Sequence, residues 1–179
     1  MKKKLLIVVD YQKDFVDGSL GFPAAVDIEE NIVKKIEEYR ALGEGGQVIF
    51  TMDTHGADYM QSQEGINLPV AHCLEGESGW DLYGKVAGLK EDGDISFAKH
   101  TFGSIELGEY LKDKADQYES AELCGVVTNI CVISNMVIVK AAMPEVPIIV
   151  DASCCASNDE VMGTKALDIM ENLHVKVLR

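Results

Sequence analysis

Ser120-Ala-Glu-Leu-Cys-Gly-Val-Val-Thr-Asn-Ile-Cys131 reads as a strand, Ser120–Val126, that passes directly into a helix running from Thr128 to Ala142. The same alternation extends in both directions. Upstream, Leu5–Val9 is an apolar strand. Ile28, Ile32, Val33 and Ile36 then follow at helical spacing behind a capping-box signal, Asp27-Ile-Glu-Glu30, and Gly43 stops that helix. Gln47–Met52 and Asp94–Ala98 are further strands, with a short helix over Asp81–Leu89 between them and another helix over Ser104–Lys114. Downstream, Pro147–Val150 is a strand, a second capping box, Ser157-Asn-Asp-Glu160, opens a helix to Asn172, and His174–Leu178 is the last strand. Strands that alternate with helices pair in parallel through right-handed crossovers. The expected fold is therefore α/β: a doubly wound, mostly parallel sheet of about six strands with helices on both faces, formed as a single domain over residues 1–179.

Composition narrows the function. The chain has 179 residues, 47% of them apolar, and a net charge of −14. That composition suits a packed domain, and the acidic balance argues against nucleic acid or an anionic membrane as partner, since both would repel it. Met1-Lys-Lys-Lys4 followed by Leu5–Val9 imitates the start of a signal peptide, but the apolar run stops at Asp10. The expectation is a cytoplasmic protein with reduced thiols. Five cysteines cannot close into a complete disulfide set, and no C-x-x-C occurs.

In a doubly wound sheet, ligands bind beyond the carboxyl ends of the strands. Asp10, Asp53, Lys99, Val127 and Asp151 are expected there. Cys131 follows in the first turn of the helix that Thr128 would cap. A thiol at that place feels the positive helix end, which favours the thiolate. Asp10 is a candidate base for it, and Lys99 a candidate cation to keep carboxylate and thiolate charged. Each alone also reads as an ordinary side chain: a buried structural thiol, or a surface ion pair at a strand end. Cys124 reads as core, and Cys154 and Cys155 as neighbours in a strand–helix loop. A second group comprises Asp53, His55, Glu64 and His72, the last two from residues 54–80, a segment with little periodicity. Imidazole with carboxylate suits a divalent metal: zinc first, with iron and manganese as the other candidates. His100 and His174 carry no assigned chemistry. Gly43-Glu-Gly-Gly46 could suggest a phosphate loop and a non-catalytic nucleotide-binding module, but it precedes a strand, whereas a dinucleotide fingerprint follows one.

Asp10-Tyr-Gln-Lys-Asp-Phe15, Asp53-Thr-His55, Pro69-Val-Ala-His-Cys73, Phe97-Ala-Lys99 and Gly125-Val-Val-Thr-Asn-Ile-Cys131, in this order and spacing, resemble the isochorismatase-like cysteine hydrolases, and within them the nicotinamidase branch. The resemblance implies Asp10, Lys99 and Cys131 as a catalytic triad. It implies Asp53, His55 and His72 as metal ligands, with Glu64 as a further one. It implies a cis peptide between Val126 and Val127, and an oxyanion hole from the backbone N–H groups of Val127 and Cys131. Phe15 and Phe102 would border a ring substrate. The implied activity is hydrolysis of nicotinamide to nicotinate and ammonia through a thioester on Cys131, a step of NAD salvage. The alternative within the family is another small amide or a carbamoyl compound. A homo-oligomer would also be in keeping with the family. The chain departs from the branch at Leu68, where many members have a tryptophan, at Thr101-Phe102-Gly103, where a tyrosine often follows the lysine segment, and at Asn129, where an aspartate is more usual.

Overall fold

The computed structural model describes residues 2–179. Its strands are β1 (Lys3–Val9), β2 (Gly46–Asp53), β3 (Ile95–Lys99), β4 (Tyr118–Val126), β5 (Ile148–Ala156) and β6 (Lys176–Leu178). The helices are α1 (Lys13–Val16), α2 (Pro23–Asp27), α3 (Glu29–Ala41), α4 (Gln63–Asn67), α5 (Gly84–Leu89), α6 (Ile105–Lys112), α7 (Ile133–Ala142) and α8 (Glu160–Asn172). All strand pairings are parallel, in the order β3-β2-β1-β4-β5-β6. The expected α/β class and strand number are therefore present. Met1, the first residue of the expected domain, lies outside the described residues.

Successive side chains of a strand point to opposite faces. Leu6 and Val8 of β1 enter one apolar cluster with Val16, Ala25, Ile32, Ile36 and Val86, so α1, α2, α3 and α5 cover that face. Leu5, Ile7 and Val9 enter the other cluster with Leu107, Leu111, Met136, Val139, Ala166 and Met170 from α6, α7 and α8. The winding reverses between β1 and β4. Their carboxyl ends therefore diverge into the crevice where such sheets hold ligands, and Asp10 and Cys131 follow those two ends.

The structure corrects several local readings. Asp27 is not a cap, because Pro23 starts α2, which ends at Asp27, and Ile28 stands at the head of α3. The second capping box is displaced. Asp159, not Ser157, accepts the Met162 N–H (2.9 Å) and caps α8. Thr128 does not cap a regular helix either. Val127 precedes a π-helical turn, Thr128–Val132, that leads into α7. β5 continues to Ala156, so Cys154 and Cys155 are buried strand residues, and Asp151 lies within β5 rather than beyond a strand end. Its carboxylate pairs with Lys35 at 3.0 Å, away from the crevice. His174 precedes β6 with a left-handed backbone, φ 63°. Residues 54–80 hold α4 and the 3₁₀ turns Tyr59–Gln61 and Ser78–Trp80. Gly43, at φ 55°, ends α3 as expected. No helix among the described residues is long and apolar enough to cross a membrane.

The position of the α8 cap can be checked. Asp159→Ala should cost about 1 kcal/mol, read as a lower urea midpoint with an unchanged slope. An unchanged midpoint would contradict this cap.

Candidate active site

Lys99 ends β3 and is 1% exposed, so its ammonium must be satisfied by the protein. It is: Nζ lies 2.7 Å from Asp10 Oδ2 and 3.0 Å from Asp53 Oδ1, and it donates to the Thr101 carbonyl at 3.0 Å. The Cys131 Sγ is 3.6 Å from the same nitrogen. Three strand ends and the π-helical turn thus converge on one cation. Asp10 follows β1 with a left-handed backbone, φ 47°, which aspartate tolerates better than most residues. Its N–H donates to the Thr51 carbonyl at 3.2 Å, and Oδ1 accepts the Thr51 hydroxyl at 2.7 Å. Oδ2 faces the ammonium and has no hydrogen bond of good geometry, and the carboxylate and the thiol meet at that same ammonium. The carboxylate is therefore placed to accept a proton.

The electrostatics differ from the expectation drawn from the helix end. Burial pushes the Cys131 thiol well up, and the Asp10 charge adds to this, while Lys99 pulls it down. With the thiol only 4% exposed, desolvation outweighs the local dipole. Burial also raises the Asp10 carboxyl above its ordinary range, against the pull of Lys99. Lys99 itself is raised: burial works against its charge, but Asp10, Cys131 and Asp53 more than restore it. The arrangement suits a neutral thiol beside a strengthened base, rather than a standing thiolate.

The second group assembles as well. One ligand atom from each of Asp53, His55, Glu64 and His72 lies within 4.8 Å of every other. Asp53 Oδ2 is 2.9 Å from His55 Nε2 and 3.3 Å from His72 Nε2. Glu64 Oε1 is 3.8 Å and 3.6 Å from the same two nitrogens. Two imidazoles and two carboxylates are a donor set that fits zinc, iron or manganese. His72 Nδ1–H donates to the Val70 carbonyl at 2.8 Å, which leaves Nε2 with its lone pair toward the cluster. Burial would raise Asp53, but hydrogen bonds from His55 and His72 and the charge of Lys99 hold it well below the usual carboxylate range. Burial and the charge of Asp53 raise Glu64.

Two residues of the Asp10–Phe15 segment have work that the sequence reading left unassigned. Gln12 clasps the backbone of Asp53. Its Oε1 accepts the Asp53 N–H at 2.7 Å, while Nε2 donates to the Asp53 carbonyl and to the Trp80 carbonyl, both at 2.8 Å. Asp14 Oδ2 accepts the N–H of Cys73 at 2.8 Å, which holds the turn after His72, where Cys73 takes φ 45°. One short segment therefore fixes both groups. An acid and an amide within a quoted motif were the available signal.

A cavity of about 190 Å³ lies over these residues, with Asp53, His72, Val127 and Cys131 in its wall and the rings of Phe15 and Phe102 beside them. Its volume is below the ~300–1,000 Å³ of sites for drug-sized ligands. The cis peptide expected between Val126 and Val127 is present, and the Val127 carbonyl accepts from Ile130 and Val132. His100 stands apart at the outer rim, its Nδ1 2.8 Å from the Thr54 carbonyl.

Comparison with known proteins agrees with this fold. The model of the isochorismatase domain matches residues 4–179. No curated protein matches the chain. Among solved structures, a nicotinamidase/pyrazinamidase from Bacillus subtilis is 27% identical, with a TM-score of 0.84, 99% of this chain and 100% of that one covered. A pyrazinamidase of Pyrococcus horikoshii in complex with zinc shares the fold at 21% identity, TM-score 0.83, with 99% of each chain covered. So does N-carbamoylsarcosine amidase from Thermoplasma acidophilum, at 23% identity and TM-score 0.78, with 99% of this chain and 96% of that one covered.

The donor set makes metal affinity depend on pH. Burial would lower the His72 imidazole, but its hydrogen bonds to Asp53 and Val70 raise it above its ordinary 6.5. In the metal-free protein, the stability due to this shift is present below 6.5 and is lost as pH rises through the raised value. An incoming metal must displace that proton. Zinc affinity should therefore rise as pH is raised from about 6 to about 8 and then level off. Calorimetric titration at several pH values checks this, and a pH-independent affinity would contradict it.

Proposed function

Because the chain belongs to the isochorismatase family, we propose that it is a cysteine amidase that hydrolyses nicotinamide to nicotinate and ammonia. The observation that carries this reading is the buried contact of Lys99 with Asp10, Cys131 and Asp53, at the wall of a small cavity flanked by aromatic rings. The similarity to the Bacillus subtilis nicotinamidase/pyrazinamidase supports the substrate class.

In this reading Asp10 accepts the thiol proton as the sulfur attacks the amide carbon. Burial raises Asp10, which makes it a stronger base for that step. Lys99 offsets the negative charge that the transfer moves between sulfur and carboxylate. The N–H groups of Val127 and Cys131 would receive the developing oxyanion. Asp10 then gives its proton to the departing ammonia, which leaves a thioester on Cys131. Asp10 next takes one proton from the water that attacks the thioester and returns it to the departing Cys131 sulfur, which restores the thiol and releases the acid, ionising to nicotinate. Phe15 and Phe102 flank the ring. A divalent metal, zinc foremost, would be held by Asp53, His55, Glu64 and His72 and would act as a Lewis-acid anchor for the ring nitrogen. The buried apolar setting favours a small neutral substrate over a charged one.

A second reading has a specific observation behind it. Leu68 and Phe102 line the cavity where the branch usually has larger polar aromatics, and the fold is shared with an N-carbamoylsarcosine amidase. A different small amide or carbamoyl compound would be the substrate in that case.

Ammonia release from nicotinamide decides between the two. The wild-type protein, supplied with zinc, iron(II) or manganese(II), should release ammonia. Asp10→Asn should lower kcat by about 10²–10⁴-fold, and Cys131→Ala should abolish turnover. Release from other carboxamides but not from nicotinamide would favour the second reading. Full activity in Cys131→Ala would exclude the thioester.

A further inference from the structure

We propose that Tyr59 is a positioning residue that holds the imidazoles of His55 and His72 in their ligating orientation before a metal binds. The inference rests on reading Asp53, His55, Glu64 and His72 as a metal cluster. Tyr59 opens a 3₁₀ turn and is 2% exposed. Its ring centroid lies 4.6 Å from that of His55 and 4.9 Å from that of His72, with interplanar angles of 60° and 76°. The two imidazoles are 4.9 Å apart and nearly perpendicular, at 72°. The three rings thus form one packed unit, and edge-on aromatic contacts at such distances are favourable.

The need for such a unit follows from what holds each imidazole. The Val70 carbonyl fixes His72 from behind. Among the described residues, His55 has only the contacts of Nε2 with Asp53 and Glu64, and no hydrogen bond holds the far side of its ring. The Tyr59 ring packs against this imidazole. Tyr59 is itself fixed: its hydroxyl donates to the Leu68 carbonyl at 2.9 Å, and its N–H donates to the Gly56 carbonyl at 3.0 Å. It also bears on Glu64. A Cβ on Gly65 would come within 2.1 Å of the Tyr59 carbonyl oxygen, so glycine lets α4 settle on the Tyr59 backbone and bring Glu64 to the cluster. Three of the four donors therefore depend on where this one residue sits.

The test measures zinc affinity by calorimetry, with a competing chelator, on the full-length wild type, Tyr59→Phe and Tyr59→Leu. Tyr59→Phe keeps the ring and should bind zinc within about threefold of wild type. Tyr59→Leu should lose about 10- to 100-fold, the usual cost of removing an outer support of a metal ligand, with unchanged circular dichroism. Wild-type affinity in folded Tyr59→Leu overturns the proposal. Should Tyr59→Leu not fold, ¹³C side-chain relaxation of the His55 ring in metal-free wild type and Tyr59→Phe decides. A rigid His55 ring in both supports the role, and a ring that reorients freely in the wild type overturns it. A wild type that binds no zinc, iron(II) or manganese(II) overturns the metal reading itself, and this proposal with it.

Discussion

One buried ammonium organises this molecule. Lys99 is nearly inaccessible to water, and its charge is met by two carboxylates and a carbonyl, with the thiol against it. Each of these groups arrives on a different segment: Asp10 after β1, Asp53 at the end of β2, Cys131 after β4 and Thr101 just past β3. The parallel order of the sheet brings those segments side by side, and the reversal of winding opens the space above them. Breaking a buried pair of this kind by removing one partner generally costs about 3–5 kcal/mol, because the other charge is left uncompensated. The polar cluster therefore constrains the sheet as much as the sheet positions the cluster.

Asp53 links the two halves of the site. Its Oδ1 accepts from Lys99, and its Oδ2 faces His55 and His72. One carboxylate thus meets the ammonium shared by Asp10 and Cys131 with one oxygen and the two imidazoles with the other. Its backbone is clasped on both sides by Gln12, two residues after Asp10. The spacing of Cys131 from His55 and His72 is set by these short, buried links rather than by the long segment that carries Glu64 and His72.

The alternation of strands and helices was legible because apolar runs and helical spacing are local properties. Ile32 and Ile36 are buried on one face of α3 as that spacing required. The ends of elements were less legible. A capping-box pattern is satisfied by residue types alone, yet Pro23 pre-empts Asp27, and Asp159 replaces Ser157. The length of β5 was hidden for a different reason. Its pairing with β4 breaks between Leu123 and Gly125, and the displaced residues are tied to α3 by Lys35 and Asn31. Those ties span more than a hundred residues and leave no local pattern. In the candidate site, the side chains that the structure brings together at Lys99 were legible from their types and order. Gln12 and Asp14 were not, because they act through hydrogen bonds to the backbone of Asp53 and Cys73, on distant segments.

The thiol shows how burial can reverse a local argument. At the head of a helix a cysteine should ionise more readily, and Cys131 does stand near one. But ionised, it would be a third buried negative charge beside Asp10 and Asp53, with one cation, Lys99, shared by all three. Desolvation and repulsion together outweigh the dipole of one turn. The lower-energy distribution keeps the proton on sulfur and the charge on the carboxylates. In the proposed reaction, attack would require the proton to move to Asp10 as sulfur forms its bond, so that the negative charge leaves the carboxylate for the substrate instead of accumulating beside it. A base raised by burial, a thiol raised by burial and one shared cation are consistent with that sequence of charges.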